Sequence, residues 1–151
     1  MTDLSKKELR AWTRLQMVHG RVTGLLERAL ASDGLPPLDW YGLLTALGRV
    51  PASGARPFEL EQATGEAQYT VSRLLDRMAR EGLVIRNACE DDRRGALVSL
   101  SDKGAGTLAN MRETCQRVLQ QEFVDLLSGK KVKALDGMLG DLLPERRTSP
   151  D

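Results

Sequence analysis

QYTVSRLLDRMAREGLVIRNACEDDRRGALVSLSDKG, residues 68–104, is the stretch whose hydrophobic spacing decides the fold. Before Gly82, apolar residues recur every three or four positions, which predicts an amphipathic helix over about 67–81 that this glycine ends. After Gly82, the runs LVIRNA and ALVSLS are short and rich in branched side chains, with Gly95 between them, which predicts a β-hairpin. Ser101 is then the expected cap of another helix.

The segments on either side of this stretch extend the helical pattern. We expect helices over about 5–31 and 38–49, the second with Asp39 as a cap near its start. PFELEQATG fits a short helix with Pro57 at its first position and Gly65 at its end. Two short helices separated by a few residues outline a helix-turn-helix, and the hairpin adds a wing. Downstream, helices are expected over about 102–127 and 130–142, so the predicted fold is mainly α with a small β-hairpin wing.

The predicted helix at 67–81 has two unlike sides. On a wheel of about 100° per residue, four apolar residues share one side: Val71, Leu74, Leu75 and Met78. The opposite side carries Gln68, Tyr69, Ser72, Arg73, Arg77 and Arg80, whose groups suit phosphates and base edges. Asp76 lies within this polar side, at a spacing that allows a pair with Arg73 or Arg80. From the helix alone, a DNA-reading surface and an ordinary solvated face both remain open.

Composition excludes several classes of protein. The formal net charge is +1, and the chain has two cysteines and one histidine, too few for a disulfide framework or a His/Cys metal site. The N-terminal sequence does not resemble a signal peptide, and no apolar run is long enough to span a membrane. Phosphate-binding and nucleophile motifs are absent. The sequence therefore predicts a cytoplasmic protein that is not an enzyme and needs no cofactor or metal.

TVSRLLDRMAREGLVIR and DDRRGALVSLSDKG strongly resemble the recognition helix and wing of the MarR family of bacterial transcription regulators. The family's D-x-R pattern falls on Asp92, Arg93 and Arg94, and its LT-x-x-G segment falls on Leu100, Ser101 and Gly104. LDWYGLLTAL also resembles the family's second helix. The resemblance implies a single MarR-like domain over 1–151, with a DNA-binding lobe at about 38–100 and dimerisation helices at about 5–31 and 102–143.

The resemblance also implies partners and site residues. Members are homodimers on double-stranded, pseudopalindromic operators, with recognition helices in major grooves and a wing arginine in an adjacent minor groove. The implied DNA-binding residues are Gln68, Tyr69, Thr70, Ser72, Arg73, Arg77, Arg93 and Arg94. In the wing, Asp92 and Gly95 would orient the arginines. Arg94 is the expected minor-groove contact, although the pattern does not separate it from Arg93.

Many members of the family release DNA when a small, often phenolic, ligand binds. His19, Trp40 and Tyr41 fall in the neighbourhood that forms this effector pocket, and ordinary core or interface packing is the alternative. Cys89 and Cys115 are expected to be inert, because no cysteine lies near the N-terminus. The predicted function is a ligand-released transcriptional repressor. The alternative is a winged-helix module that binds protein and not DNA.

Overall fold

The structure is a computed structural model that describes residues 3–87 and 96–143. Within these residues it has six α-helices and one two-stranded antiparallel sheet. The elements in chain order are α1 (Lys6–Ser32), α2 (Leu38–Gly48), α3 (Pro57–Thr64), α4 (Gln68–Arg80), β1 (Val84–Asn87), β2 (Leu97–Leu100), α5 (Asp102–Leu119) and α6 (Gly129–Gly140). The predicted fold, mainly helical with one small hairpin, is confirmed.

The chain divides into two compact units. The winged unit spans Thr23–Cys115, and the terminal unit combines residues 1–22 with residues 116–151. The winged unit contains the predicted DNA-binding lobe at 38–100 and extends beyond it on both sides. The assignment of the whole chain to one domain with dimerisation helices at its two ends stays a prediction.

The core of the winged unit is made mainly of aliphatic side chains, as the scarcity of aromatic residues requires. Helix α2 buries Leu43, Leu44 and Leu47, and α3 buries Leu60. Each fully buried side chain of this size stabilises the fold by about 1.5–3 kcal/mol. These leucines form the layer against which the helix-turn-helix is built.

The turn between α3 and α4 consists of three residues, Gly65, Glu66 and Ala67. Gly65 ends α3 with a φ of 71°, and its N–H donates to the carbonyl of Glu61 at 2.8 Å. A left-handed residue at this place favours glycine, because a Cβ would crowd the backbone. Pro57 begins α3, as the sequence predicts. The short connection therefore fixes α4 directly after α3.

The hairpin pairs β1 with β2 in the register Val84↔Leu100, Ile85↔Ser99, Arg86↔Val98 and Asn87↔Leu97. The sequence does not reveal a further piece of pairing at Ala55, in the predicted loop after α2. The N–H groups of Ala55 and Val98 each donate to the other's carbonyl at 2.8 Å. Ala55 thus extends the hairpin by one bridge, which ties the wing to the loop before α3.

The terminal unit begins with a reciprocal cap and contains one irregular helical turn. The Ser5 N–H donates to the Glu8 carboxylate at 2.6 Å, and the Glu8 N–H donates to the Ser5 hydroxyl at 3.3 Å. These hydrogen bonds lower the pKa of Glu8. The Arg21 guanidinium donates to the Glu122 carboxylate at 2.5 Å. Many large apolar side chains of this unit are exposed.

Two predicted helix features are wrong. The helix expected over 102–127 is α-helical only to Leu119 and continues as a π-helical turn, Gln120–Val124, in which the Asp125 N–H donates to the Gln120 carbonyl at 2.9 Å. Arg21 also reaches the Glu122 carbonyl at 3.4 Å, which gives that group a partner outside the helical ladder. Asp39 lies inside the first turn of α2, where it can face the helix dipole, and is not its cap; Pro37 occupies that position.

Candidate nucleic-acid interface

The recognition helix α4 is held in place by its apolar side. Val71, Leu75 and Met78 are at most 1% exposed, and Leu74 is 6% exposed. These are the four residues that the helical wheel places together. Because truncating one buried leucine or methionine costs about 2–5 kcal/mol, this side fixes the rotation of α4 about its axis. The opposite side therefore has a defined orientation toward solvent.

The exposed side of α4 carries most of the residues predicted to contact DNA. Gln68, Tyr69, Ser72, Arg73 and Arg77 are exposed, and Thr70 is half-buried. The helix contains three arginines and one aspartate, which give it a formal charge of +2. All six predicted contact residues of α4 lie within its first three turns. The prediction that they share a solvent-facing surface is therefore confirmed, whereas their contact with DNA stays a prediction.

Tyr69 and Arg73 form a stacked pair at the start of this surface. The guanidinium carbon of Arg73 lies 5.4 Å from the centre of the Tyr69 ring. A cation within about 6 Å of an aromatic face is attracted by the ring quadrupole. The residues are one helical turn apart, so both side chains project from the same side of α4. The stack restricts Arg73 to a narrow range of positions.

Asp76 has a different partner from the one that the sequence predicts. Its carboxylate accepts a hydrogen bond from the guanidinium of Arg86 at 2.7 Å, and not from Arg73 or Arg80. Arg80 instead donates through Nε to the backbone carbonyl of Asp76 at 3.4 Å. Arg86 lies on β1, ten residues along the chain, and helical spacing cannot reveal a partner on another element. The ion pair joins α4 to the base of the wing and compensates the one negative charge of the helix.

Arg86 is the residue at this surface that sequence reasoning missed. Its position in a four-residue strand gave one weak signal, because β1 buries Val84 and leaves the following three residues exposed. Both members of the Asp76–Arg86 pair are also largely exposed, so the pair stabilises the fold by no more than about 1 kcal/mol. Its role is therefore to place charge and not to hold the fold together.

The base of the wing is closed by the start of α5. The Ser101 hydroxyl accepts a hydrogen bond from the Gly104 N–H at 3.0 Å, which confirms Ser101 as the cap. The same hydroxyl donates to the Gly82 carbonyl, and the Ser101 N–H donates to the Leu83 carbonyl at 3.0 Å. The predicted wing residues Asp92, Arg93, Arg94 and Gly95, with Cys89, lie outside the described residues. Their roles stay predictions.

The residues predicted for an effector pocket lie in different places. Trp40 is 4% exposed and borders two cavities of about 420 and 480 Å³ in the winged unit. Tyr41 is half-buried and borders another cavity, of about 500 Å³, with Thr45 and Arg49. His19 belongs to the terminal unit and is exposed. The described residues therefore place Trp40 and Tyr41 at separate cavities.

Other chemistry finds little support in the parts of the chain that the structure describes. Residues 3–87 and 96–143 contain no group of three or more His, Cys, Asp or Glu side chains arranged to hold a metal ion. Among the described helices, none is both long and apolar enough to cross a membrane. Cys115 is buried, and this burial raises the pKa of its thiol, which disfavours the reactive thiolate.

A helix-turn-helix made of α3 and α4, followed by a two-stranded wing, defines a winged helix-turn-helix protein. The model of the MarR family matches residues 33–95, which include all of these helices and β1. The multiple antibiotic resistance protein MarR of Escherichia coli (strain K12) is 31% identical over 88 residues, which are 58% of this chain and 61% of that protein. The chain belongs to the MarR family, although the matched part spans less than two thirds of this relative.

Solved structures extend the likeness to nearly the whole chain. AbsC, a MarR family transcriptional regulator from Streptomyces coelicolor, superposes with a TM-score of 0.86 and 28% identity, over 99% of this chain and 100% of AbsC. Sco3205 from the same organism, solved in complex with DNA, gives a TM-score of 0.87 and 25% identity over 94% of this chain and 89% of its own. A mutant of E. coli MarR complexed with operator DNA gives 0.79 and 26% identity over 95% and 100%.

Proposed function

We propose that this chain is a sequence-specific, double-stranded DNA-binding transcriptional regulator. The observation that carries the proposal is the exposed side of α4, which presents hydroxyl, amide, phenol and guanidinium groups on a helix whose other side is fixed in the core. A major groove about 12 Å wide admits one α-helix and exposes the hydrogen-bonding edges that these groups read. The DNA complexes of Sco3205 and of E. coli MarR support the proposal by similarity.

The position along α4 suggests which residues contact bases and which contact phosphates. In helix-turn-helix proteins the N-terminal residues of the recognition helix reach base edges. Gln68, Tyr69, Ser72 and Arg73 occupy the first two turns, whereas Arg77 lies a turn further on. We therefore assign base contacts to the first group and a phosphate contact to Arg77. Thr70 is half-buried and is assigned to the adjoining backbone.

The test starts from DNA and not from an assumed operator. Fragments of the source genome that the protein retains at low salt are selected, and binding to the enriched fragments is measured by fluorescence anisotropy. Arg77→Ala is expected to weaken binding to all sequences and to reduce the slope of log K against log salt by about 1. Arg112→Ala, which removes an exposed arginine from α5, is the control and should leave both quantities unchanged. If no fragment is enriched, the protein-interaction alternative replaces this proposal.

A pseudopalindromic operator requires two copies of the chain, and the terminal unit supports a homodimer. Its exposed apolar side chains are Leu4, Leu9, Trp12, Leu15, Met17, Val18, Leu119, Val124, Leu126, Met138, Leu139, Leu142 and Leu143. Apolar surface on this scale marks an interaction site more often than free surface, and a two-fold pair of identical copies covers such surface at both sites at once. We assign the second copy of this chain as the partner.

Light scattering on the purified protein tests the dimer. The wild type should have twice the mass of one chain, and Trp12→Glu should shift it toward the monomer, because Trp12 is 59% exposed and apolar. Arg14→Glu introduces the same acid two positions along, about 200° around the helix, and serves as the control. Equal masses for the wild type and Trp12→Glu would contradict the assignment.

The wing contributes a second contact in this proposal. Arg94, with Arg93 as the alternative, would enter a minor groove narrowed by A·T pairs, where the negative potential is strongest. Asp92 and Gly95 would orient the arginine. Arg93→Ala and Arg94→Ala, compared on the selected operator, separate the two: the residue in the groove should lose more affinity when flanking A·T pairs are intact than when they are replaced by G·C.

We further propose that a small aromatic acid releases the DNA and that the regulator represses. The Trp40 Nε1–H is buried and lacks a hydrogen-bond acceptor among the described residues, which costs about 1–3 kcal/mol. Arg77 and Arg80 line one of the two cavities at Trp40, and Lys103 lines the other. A carboxylate or phenolate could accept from the indole and meet these cations.

A screen of small aromatic acids for release of the selected operator tests this effector role. Trp40→Phe keeps an aromatic ring and removes the N–H, so it should bind operator like the wild type and respond to higher effector concentrations only. An unchanged response would exclude the Trp40 cavities as the site. A reporter under the promoter nearest to the operator should be low with the protein and rise with the effector if it represses. Such a regulator acts in the cytoplasm, on the genome, and has no catalytic step.

A further inference from the structure

Tyr69 is an aromatic residue with no place in the core. Its side chain is 70% exposed, more than any other large apolar or aromatic side chain in the described part of the chain. Its one stabilising contact in view is the stack with Arg73 at 5.4 Å. Leaving a ring in solvent forgoes the burial that normally stabilises such a residue. The exposed ring is therefore placed to act on Arg73 or on whatever approaches α4.

The stack leaves the reading groups of Arg73 available. A guanidinium is planar and carries its five N–H donors in that plane, so a ring against its face restricts its orientation without occupying the donors. Two of these donors match the O6 and N7 acceptors of guanine in the major groove. A guanidinium already held in one plane loses less rotational freedom when it makes both hydrogen bonds. Tyr69 thus supplies in the free protein part of the order that binding requires.

The position of the ring also defines which neighbour the guanine should have. When Arg73 reads a guanine, the ring beside it faces the major-groove surface of the adjacent base pair. Thymine alone presents a methyl group there, and an apolar ring makes a favourable contact with a methyl but not with the polar edges of the other bases. A T-G step satisfies both side chains together.

We propose that Tyr69 is a positioning residue that holds Arg73 for bidentate contact with a guanine, and that the pair selects a thymine–guanine step in each half-site. This inference rests on the proposed function, because it needs DNA in contact with α4. It adds the chemistry that the reading helix selects, and it assigns Tyr69 a role through Arg73 in addition to its own contact.

The experiment uses the full-length protein and its selected operator, with binding measured by fluorescence anisotropy. Tyr69→Leu removes the π-face and should weaken operator binding by about three- to thirty-fold, the range for a cation–π contact between exposed and desolvated settings. Tyr69→Phe retains the face and should bind nearly as the wild type does. Because Tyr69 is exposed, both variants should fold, which thermal melting followed by circular dichroism checks.

Base analogues distinguish positioning from a general loss of affinity. In wild-type protein, 7-deazaguanine at the proposed position removes N7 and should weaken binding about ten-fold or more, while uracil in place of the adjacent thymine removes the methyl and should weaken it by a few-fold. In Tyr69→Leu both effects should shrink, and the effects of Tyr69→Leu and Arg73→Lys should not add. The salt slope should stay unchanged, because no phosphate contact is lost.

The outcomes separate this inference from the function on which it rests. If the wild type selects an operator and Tyr69→Leu keeps the full response to 7-deazaguanine and uracil, the positioning role is wrong and the DNA-binding proposal stands. If Tyr69→Phe is as weak as Tyr69→Leu, the hydroxyl and not the ring is used, which also overturns the inference. If the wild type selects no operator, both proposals fail together.

Discussion

Gly104 gives the sharpest test of how the wing is joined to the helix that follows it. A Cβ at this position would lie 1.9 Å from the carbonyl oxygen of Leu83 and 2.9 Å from its carbonyl carbon. Both atoms belong to the backbone. The same oxygen accepts the Ser101 N–H at 3.0 Å, so it cannot retreat without loosening the start of α5 from the base of β1. A Gly104→Ala variant must therefore separate these two segments.

The size of the effect follows from three contributions. To reach normal van der Waals separation the added methyl must move by more than about 1 Å, and overpacking of this kind typically costs about 1–3 kcal/mol. Loss of the Ser101–Leu83 hydrogen bond adds about 0.5–1.5 kcal/mol. Alanine in place of a helical glycine returns about 1 kcal/mol. The expected net loss is roughly 1–3 kcal/mol, which lowers the melting temperature by about 2–12 °C in a chain of this length.

Gly106→Ala is the matched control, two residues further along the same helix. A Cβ there meets no atom within 4 Å, and the residue is exposed, so the variant should gain about 1 kcal/mol from helix propensity. Urea denaturation followed by circular dichroism, at equal protein concentrations, compares the two variants with the wild type. If Gly104→Ala proves as stable as Gly106→Ala, the close approach of α5 to Leu83 is wrong.

Three further changes test other parts of the winged unit. Asp76→Asn removes the one acid of α4 and releases Arg86, so affinity for non-specific DNA should rise by up to about ten-fold in anisotropy titrations, with unfolding free energy changed by at most ~1 kcal/mol; weaker binding would contradict the charge-placing role. Thr114→Val removes the 2.6 Å hydrogen bond to the Asp33 carboxylate and should cost about 1.5–3 kcal/mol in urea denaturation, and a loss below ~0.5 kcal/mol would count against that bond. Burial raises the pKa of Cys115, so the stability linked to its proton is complete below the thiol's ordinary range and is lost as pH rises through it; Cys115→Ala should show a shallower alkaline fall in unfolding free energy than the wild type, and equal slopes would refute the linkage.

The features that the sequence predicts correctly are those that neighbouring residues determine. Gly65 and Gly82 end their helices with φ values of 71° and 73°, and each lies where the apolar spacing stops. The apolar side of α4 follows from a period of 3.6, which depends on nothing beyond the helix itself. Ser101 caps α5 because a hydroxyl there reaches an N–H three residues ahead. Each of these decisions is local, so the chain states it openly.

The features that the sequence conceals depend on residues brought together from distant elements. The partner of Asp76 could be any of several arginines, and only the folded hairpin places Arg86 within 2.7 Å of it. Ala55 belongs to a loop by every local signal, yet it pairs with Val98 across 43 positions because the loop passes beside β2. In both cases the choice follows from a tertiary approach, to which hydrophobic periodicity carries no information.

The arrangement of charge explains how a nearly neutral lobe can suit DNA. Residues 66–95 contain six arginines and six acids, so formal counting gives the lobe no attraction for phosphate. The structure pairs Asp76 with Arg86, an arginine that is not on α4, and thereby leaves the three arginines of the helix outside that ion pair. Arg73 is then held by a ring, which keeps its charge, and not by a carboxylate, which would cancel it. Attraction over the short distances of a groove depends on this local separation more than on net charge, because charges more than about 10 Å apart are screened at ordinary ionic strength. An ion pair that contributes little to stability therefore matters at this surface through where it places one negative charge.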